Sequence, residues 1–395
     1  MEHIHNSSRS AAIPREAELL IACGAACATN QGTERIAGLA GDEIDWESLL
    51  RIAAGHGMTS IVWRSLSLHA KRVPAEVLAL LRTRYLTNSA RNLYLANELL
   101  NVLDLLESNG VPAIAFKGPA LAAAAYGEPG LREFSDLDIL VQPSTFIRAR
   151  QTLIEHGYRP RCSDQRALES AVFQCFEDAF VADDGVAVLD VHWRIVPRYL
   201  SFPDSESLWA RARRAELQGR YVNTLAAEDL LLFLCVHGAK HGWPLLSWIC
   251  DLAGLIHRND SLDWPVLFSR AESVRNRRPL LLGLRLAHDL MGAVIPSEFL
   301  AAVRADPAVA RLGVRATRSM FRNLGERAGL FQELILPLRS IESPRQRIRY
   351  LADRALTPTL EDWEALPLPP PLFALYYLTR PFRLAFAKGK KLLRG

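Results

Sequence analysis

A chain of 395 residues, 49% of them hydrophobic, is long enough for two or three domains and a substantial core. Its formal charge of +4, from 47 basic and 43 acidic residues, is too near balance for an extended nucleic-acid surface. Six cysteines scattered at 23, 27, 162, 175, 235 and 250 exclude a zinc ribbon or a small disulfide scaffold and fit reduced thiols in a cytoplasmic protein.

Residues 1 to 15 read as a loose tail. Glu16 and Glu18 precede the apolar stretch Leu19 to Ala28, which suits a helix and is wrong for the start of a signal peptide, so no export is expected. Asp45 stands in N-cap position before a helically spaced run from Trp46, with apolar residues recurring through Leu66. Further helices are expected from after Pro74 toward Arg91 and from Leu93 to about Ser108, closed by Asn109-Gly110. At Val111 the texture changes: Val111 to Phe116 is an apolar run of strand length that ends in the turn Lys117-Gly118-Pro119. Ala120 to Tyr126 suits a short helix, Gly127 to Gly130 breaks it, and Asp136-Leu137-Asp138-Ile139-Leu140-Val141 follows.

That last stretch alternates with period two, which puts Asp136 and Asp138 on one strand face and Leu137 and Ile139 on the other. Pro143 opens a helix to about His156. Phe173 to Val181 and Val186 to Trp193 then flank Asp183-Asp184-Gly185 as a hairpin, with Asp190 and His192 sharing a face. From Ser205 helices return: Leu208 to Leu217, about Ala226 to His241, one after Trp243-Pro244, one opened by Asp263-Trp264-Pro265, and Arg278 to Met291. Pro307 to Gly329 and Pro344 to Leu356 also read as helical. Leu366 to Pro371 reads as an extended, stiff connector, and residues 380 to 395 hold six basic residues and no acid. These boundaries predict an N-terminal helical region (1–108), an α/β core (109–200), a helical domain packing on the active site (201–300) and a C-terminal helical region with a Pro-rich connector and basic tail (301–395).

Two carboxylates on one strand face repel each other unless a cation lies between them, and hard oxygen ligands suit Mg²⁺. An edge strand with one polar face would show the same alternation. His237 and His241 stand four apart on one helix face, but Gly238 occupies the position where a zinc protease of this spacing needs glutamate, which excludes that class. Imidazoles bonded to backbone beneath the tryptophans would explain the pair as well as a role in a site.

Taken together, Phe116-Lys117-Gly118, Arg132 with Ser135-Asp136-Leu137-Asp138-Ile139-Leu140-Val141, Asp190-Val191-His192-Trp193, and Leu231 to His241 with Trp243, Trp248 and Asp251 form an ordered set. The set resembles the DNA polymerase beta-like nucleotidyltransferase superfamily. More narrowly, it resembles the uncharacterised bacterial nucleotidyltransferase family (NTP_transf_5), over roughly residues 16 to 300. The resemblance implies an α+β fold, with a small mixed-sheet nucleotidyltransferase core embedded in a largely helical chain. It implies an Mg²⁺-dependent enzyme moving a nucleoside monophosphate from an NTP, with ATP as the expected donor, to a hydroxyl or phosphate of a small-molecule or peptide acceptor, with release of pyrophosphate. In that reading Asp136, Asp138 and Asp190 hold two Mg²⁺ ions and Asp190 also helps to deprotonate the acceptor. Lys117, Gly118, Arg132 and Ser135 then serve the nucleotide phosphates, and His192, His237, Lys240, His241 and Asp251 the acceptor side.

Two features depart from the superfamily pattern: the turn is Lys-Gly where Gly-Ser or Gly-Gly is usual, and 17 residues separate Gly118 from Asp136. A non-catalytic nucleotide-sensing protein on the same fold is the competing class, and the retention of three mutually repelling acids counts against it. The C-terminal run with Tyr376, Tyr377, Phe382 and Leu384 either packs its rings on the helical body or makes weak contact with an anionic membrane surface.

Overall fold

The Asp-x-Asp segment is a central strand of a seven-stranded mixed sheet. The computed structural model describes residues 13–41, 43–162, 166, 170, 175–322 and 334–392. Strands β1 (Ala113–Ala115), β2 (Asp136–Val141), β3 (Tyr158–Pro160), β4 (Glu177–Ala182), β5 (Val188–His192), β6 (Arg213–Leu217) and β7 (Arg220–Thr224) lie in the order β3-β4-β5-β2-β1-β7-β6. β2 runs parallel to β5, with Asp138 opposite Asp190 and Leu140 opposite His192, and antiparallel to β1. The expected hairpin is β4–β5, and its turn is held by Asp184, whose carboxylate accepts the Val186 N–H at 2.8 Å. Positions 173 and 174 of its first expected strand lie outside the described residues.

Helices α1 (Arg15–Thr29), α2 (Thr33–Leu39), α3 (Trp46–Gly55), α4 (Thr59–Ser67) and α5 (Ala75–Ser108) precede the sheet. Within it come α6 (Gly118–Tyr126), α7 (Phe146–Glu155) and α8 (Ser205–Arg211). After it come α9 (Ala227–His241), α10 (Leu246–His257), α11 (Trp264–Ser273), α12 (Arg277–Met291), α13 (Ser297–Ala305), α14 (Pro307–Arg322), α15 (Leu336–Ser340), α16 (Pro344–Leu356), α17 (Leu360–Ala365) and α18 (Tyr376–Leu392). Two caps expected from the sequence are formed: Asp45 accepts the Ser48 N–H at 3.0 Å and Asp263 the Val266 N–H at 2.9 Å. Among the described residues no helix is long and apolar enough to cross a membrane.

Alternation along the strands divides the interior into two apolar layers. Leu137, Ile139, Val141, Leu189 and Val191 pack with Leu95, Leu99 and Leu106 of α5 and with Phe146 and Leu153 of α7. Ile114 and Leu140 face the other way, and with Phe116 they join the helical layer that contains Leu230 and Phe233 of α9. Beyond Asp136, which is half-buried at its start, the acidic face of β2 therefore looks onto helices.

Three local expectations are corrected. The two helices expected between Pro74 and Ser108 are one continuous helix of 34 residues. Asn92, at the supposed break, is buried and donates to the Pro129 and Arg132 carbonyls at 2.7 Å, so the loop it clamps satisfies it and the helix runs through. Leu208 to Leu217 is helical only to Arg211. Gln218 and Gly219 adopt positive φ (+51° and +75°) and fold Arg213–Leu217 back on Arg220–Thr224 as a hairpin, which β7 attaches to β1. Finally, the Pro-rich connector is not extended throughout, since Pro370–Leu375 winds into a 3₁₀ helix. Positions 323 to 329 of the expected helix after Pro307 lie outside the described residues, as do positions 1 to 12 of the expected tail and 393 to 395.

Candidate active site

The site begins where β1 turns into α6. Gly118 has φ +50°, and a Cβ there would lie 2.9 Å from the Asp136 carbonyl oxygen, closer than real Cβ atoms come. Glycine thus lets the first turn of α6 rest on the first residue of β2, which brings Lys117 against the acids of β2. At its other end α6 crosses α10 equally tightly, with Gly254 against the Ala125 carbonyl.

Asp138 is 2% exposed and is the electrostatic centre. Its Oδ1 accepts from Lys117 Nζ at 3.2 Å and from His192 Nε2 at 3.1 Å. Burial would raise its carboxyl, but Lys117 and His192 hold it well below the usual carboxylate range. On its far side His192 places Nδ1 3.0 Å from Glu177 Oε2, an ion contact outside hydrogen-bond geometry. Burial opposes the charge on His192, yet Asp138 and Glu177 together raise it to about 9, so imidazolium donates to Asp138 and fixes its orientation. Asp138 Oδ2 is buried and has no partner among the described residues. Asp190, one strand over, is pushed up to about 7, first by burial and then by the Asp138 charge, with Glu177 and Asp136 adding to it.

An orphaned buried carboxylate oxygen beside a second carboxylate that repels it is the donor set a hard divalent cation fits. Ligand atoms of Asp138, Asp190 and His192 all lie within 4.8 Å of one another. Asp136 stands one pleat away on the same face of β2, half-buried, opposite Val188. Since His192 Nε2 is engaged by Asp138 Oδ1, the oxygens of Asp138, Asp190 and Asp136 are the ones left to hold an ion.

Opposite the acids stands a wall of nitrogen groups. Lys117 Nζ lies 5.4 Å from the centre of the Phe233 ring, which packs edge-on against Phe116 at 5.3 Å. His237 follows Phe233 on the next turn of α9 at 5.6 Å and meets both His241 and Trp248 at 4.7 Å. Burial, followed by Lys117, His241, Lys240 and Arg132, pushes His237 well below its ordinary range. His241 keeps an exposed edge, yet burial by its neighbours and then Lys240 and Lys117 push it down to about 4. Lys240, 5.6 Å from the Phe176 ring centre, is lowered to about 8, chiefly by burial. The mutual repulsion of these groups marks a region of concentrated positive potential that an anion would relieve.

Arg132 and Asp251 meet each other. Arg132 Nε donates to Asp251 Oδ2 at 3.0 Å, and Tyr126 Oη to Asp251 Oδ1 at 2.9 Å, with Asp251 1% exposed. Asp251 therefore holds the guanidinium and stands behind the acceptor side expected of it. The loop that carries Arg132 is clamped by Asn88 and Asn92 of α5, whose amides donate to its carbonyls, and Glu133 accepts the Ser60 N–H at the start of α4 at 3.2 Å. Ser135 is exposed at the mouth of the strand.

Thus Lys117, Gly118, Asp136, Asp138, Asp190 and His192 cluster at β1, β2 and β5, His237, Lys240 and His241 of α9 lie close enough to Lys117 to feel its charge, and Arg132 and Asp251 pair beside them. Sequence reasoning missed Glu177, Tyr126, Asn88 and Asn92. Glu177 shares a strand face with Ala179 and Val181, a signal too weak to separate it from any solvated residue. The i, i+4 asparagines inside a helix were a readable signal, because buried amides need partners.

A family model described as an uncharacterised nucleotidyltransferase matches residues 42–292, well over half of the chain. No curated protein matches. Among solved structures, the crystal structure of an antigenic nucleotidyltransferase-like protein from Paracoccidioides brasiliensis is 13% identical, covers 55% of this chain and 93% of that one, and superposes with a TM-score of 0.32. That likeness is too low to support an argument.

Proposed function

The chain belongs to the family of uncharacterised nucleotidyltransferases, and on that premise we propose that it transfers a nucleoside monophosphate from an NTP, with ATP as the expected donor, to a hydroxyl or phosphate of a small-molecule or peptide acceptor. The observation that carries this reading is the orphaned Asp138 Oδ2 in a residue clustered with Asp190, while its other oxygen is locked by Lys117 and His192. Asp136, Asp138 and Asp190 would hold Mg²⁺. When bound, the ion would supply charge neutralisation for the acceptor oxygen that enters at the α-phosphorus and for the pyrophosphate oxygen that leaves.

The residues of the chain do the rest. Lys117 and Lys240, with Arg132 behind them, offer cationic donors to phosphate oxygens, and the low-pKa imidazoles of His237 and His241 offer neutral N–H groups. Asp190 accepts the proton of the acceptor hydroxyl at a carboxylate oxygen. Gly118 keeps the first turn of α6 close enough to β2 for phosphates and acids to lie together, and His192, backed by Glu177, keeps Asp138 from rotating away.

The test is Mg²⁺-dependent release of pyrophosphate from each NTP by the full chain, supplied with a small-molecule extract as acceptor pool. Asp190→Asn is expected to keep NTP affinity and to lose turnover at least roughly a hundredfold, because a base acts in chemistry more than in binding. Wild-type turnover in that variant, or NTP binding without Mg²⁺-dependent pyrophosphate release by the wild type, would sink the reading.

A further inference from the structure

Among the described residues, nineteen large apolar side chains remain exposed, and nine of them fall between Ile348 and Phe382. Single exposed leucines are ordinary, but so dense a group marks a contact surface. It lies wholly outside residues 42–292, so it is independent of the part that matches the family.

Its most exposed members at helical spacing are Leu375, Leu378 and Phe382, at 42%, 67% and 71% exposure, on the i, i+3, i+7 stripe that runs into α18. The opposite side of the same helix is what anchors it. Tyr376 is fully buried, with its hydroxyl donating to the Leu366 carbonyl and accepting the Leu368 N–H at 2.8 Å. Arg380 is buried against Asp362, which also pairs with Arg383. A terminal helix that merely completed the helical body would turn its apolar stripe inward and its arginines out. Here Arg380 is held inside by Asp362, Arg383 is half-buried on the same carboxylate, and the apolar stripe faces outward.

Charge identifies what the stripe fits. No acid follows Glu364 in the sequence, and the segment that continues past Leu384 adds Phe386 at the same helical period together with Lys388, Lys390, Lys391 and Arg394. Apolar residues on one stripe followed by a run of cations is the pattern of a helix lying in the plane of an anionic bilayer. A protein partner would need matched acidic and apolar surfaces, whereas a bilayer offers both everywhere. No described helix can span a membrane, so the contact is peripheral.

We propose that α18 is a surface anchor for an anionic lipid bilayer. Leu375, Leu378 and Phe382 enter the boundary between headgroups and acyl chains, and the basic residues that follow pair with lipid phosphates. The anchor would hold the nucleotidyltransferase body at the membrane surface.

The experiment is co-sedimentation of the full chain with vesicles of phosphatidylcholine alone and of phosphatidylcholine mixed with phosphatidylglycerol. Binding is expected only with phosphatidylglycerol and should fade as salt is raised. Leu378→Ser with Phe382→Ser should lower partitioning by roughly tenfold or more with an unchanged melting temperature, because little packs on either side chain. Lys388→Gln, Lys390→Gln and Lys391→Gln should each cost roughly fivefold. No binding to anionic vesicles, equal binding to both vesicle types, or binding that survives the double serine variant would overturn the proposal. A concentration-dependent dimer abolished by the double serine variant would instead assign the face to self-association.

Discussion

Gly118→Ala separates two demands that the first turn of α6 places on one residue. At φ +50° alanine pays a left-handed cost of about 1–2 kcal/mol. Its Cβ would also sit 2.9 Å from the Asp136 carbonyl oxygen, where ordinary contact begins near 3.4 Å, so the strand or the helix must yield by about 0.5 Å. The atoms that yield are backbone, and they carry Asp136 and Lys117 with them. Gly185→Ala is the control, because Gly185 lies in the β4–β5 turn with φ +71° and a Cβ there would meet nothing within 4 Å. Urea unfolding should show a loss of about 1 kcal/mol for Gly185→Ala and roughly 2–3 kcal/mol for Gly118→Ala. Mg²⁺-dependent pyrophosphate release should be retained in the first and reduced roughly tenfold or more in the second, since sub-ångström displacement of catalytic groups is costly. If the two variants match in both stability and turnover, the close approach of α6 to β2 has no role in the site.

Asp136→Asn and Asp138→Asn should both abolish turnover but part company in stability. The first should unfold within about 0.5 kcal/mol of wild type, whereas the second strands Lys117 and His192 beside a neutral amide and should lose about 3 kcal/mol; equal urea midpoints would contradict the buried pairing. Asp251→Asn should cost about 3–5 kcal/mol by leaving the Arg132 guanidinium buried without its counter-charge, and a loss under 1 kcal/mol would show that the guanidinium swings to solvent. His56 is 3% exposed, accepts the Leu246 N–H at Nδ1, and is pushed down to about 4 by burial. Its folded value lies below the unfolded value near 6.5, so its contribution is fully present above pH 6.5 and is lost as pH falls toward 4, by up to about 3 kcal/mol. His56→Gln should flatten that part of the pH–stability curve measured by urea unfolding, and an unchanged slope would assign it to other groups.

Much of the site is legible in the amino-acid sequence. Alternation in Asp136 to Val141 and in Val188 to His192 predicts which side chains share a face, and the register that sets Asp138 opposite Asp190 joins those faces. Asp45 and Asp263 announce their helices because a cap is decided within three residues of itself. The turn at Lys117-Gly118-Pro119 is likewise announced locally, although the close approach of Gly118 to the Asp136 carbonyl is a tertiary contact.

What the tertiary structure decided are pairings between distant parts of the chain. Asp136 and Asp138 are equivalent by periodicity, yet one is half-exposed and the other buried between Lys117 and His192. Arg132 and Asp251 stand 119 residues apart and each reads alone as a ligand-facing charge, whereas together they form a buried pair with Tyr126. The β6–β7 hairpin carries its turn signal at Gln218-Gly219, but its place in the sheet depends on β7 finding the free edge of β1. Periodicity and capping act over a few residues and are written in the local sequence. Which charge meets which, and which face is covered, follows from how strands and helices stack, and no spacing along the chain encodes that.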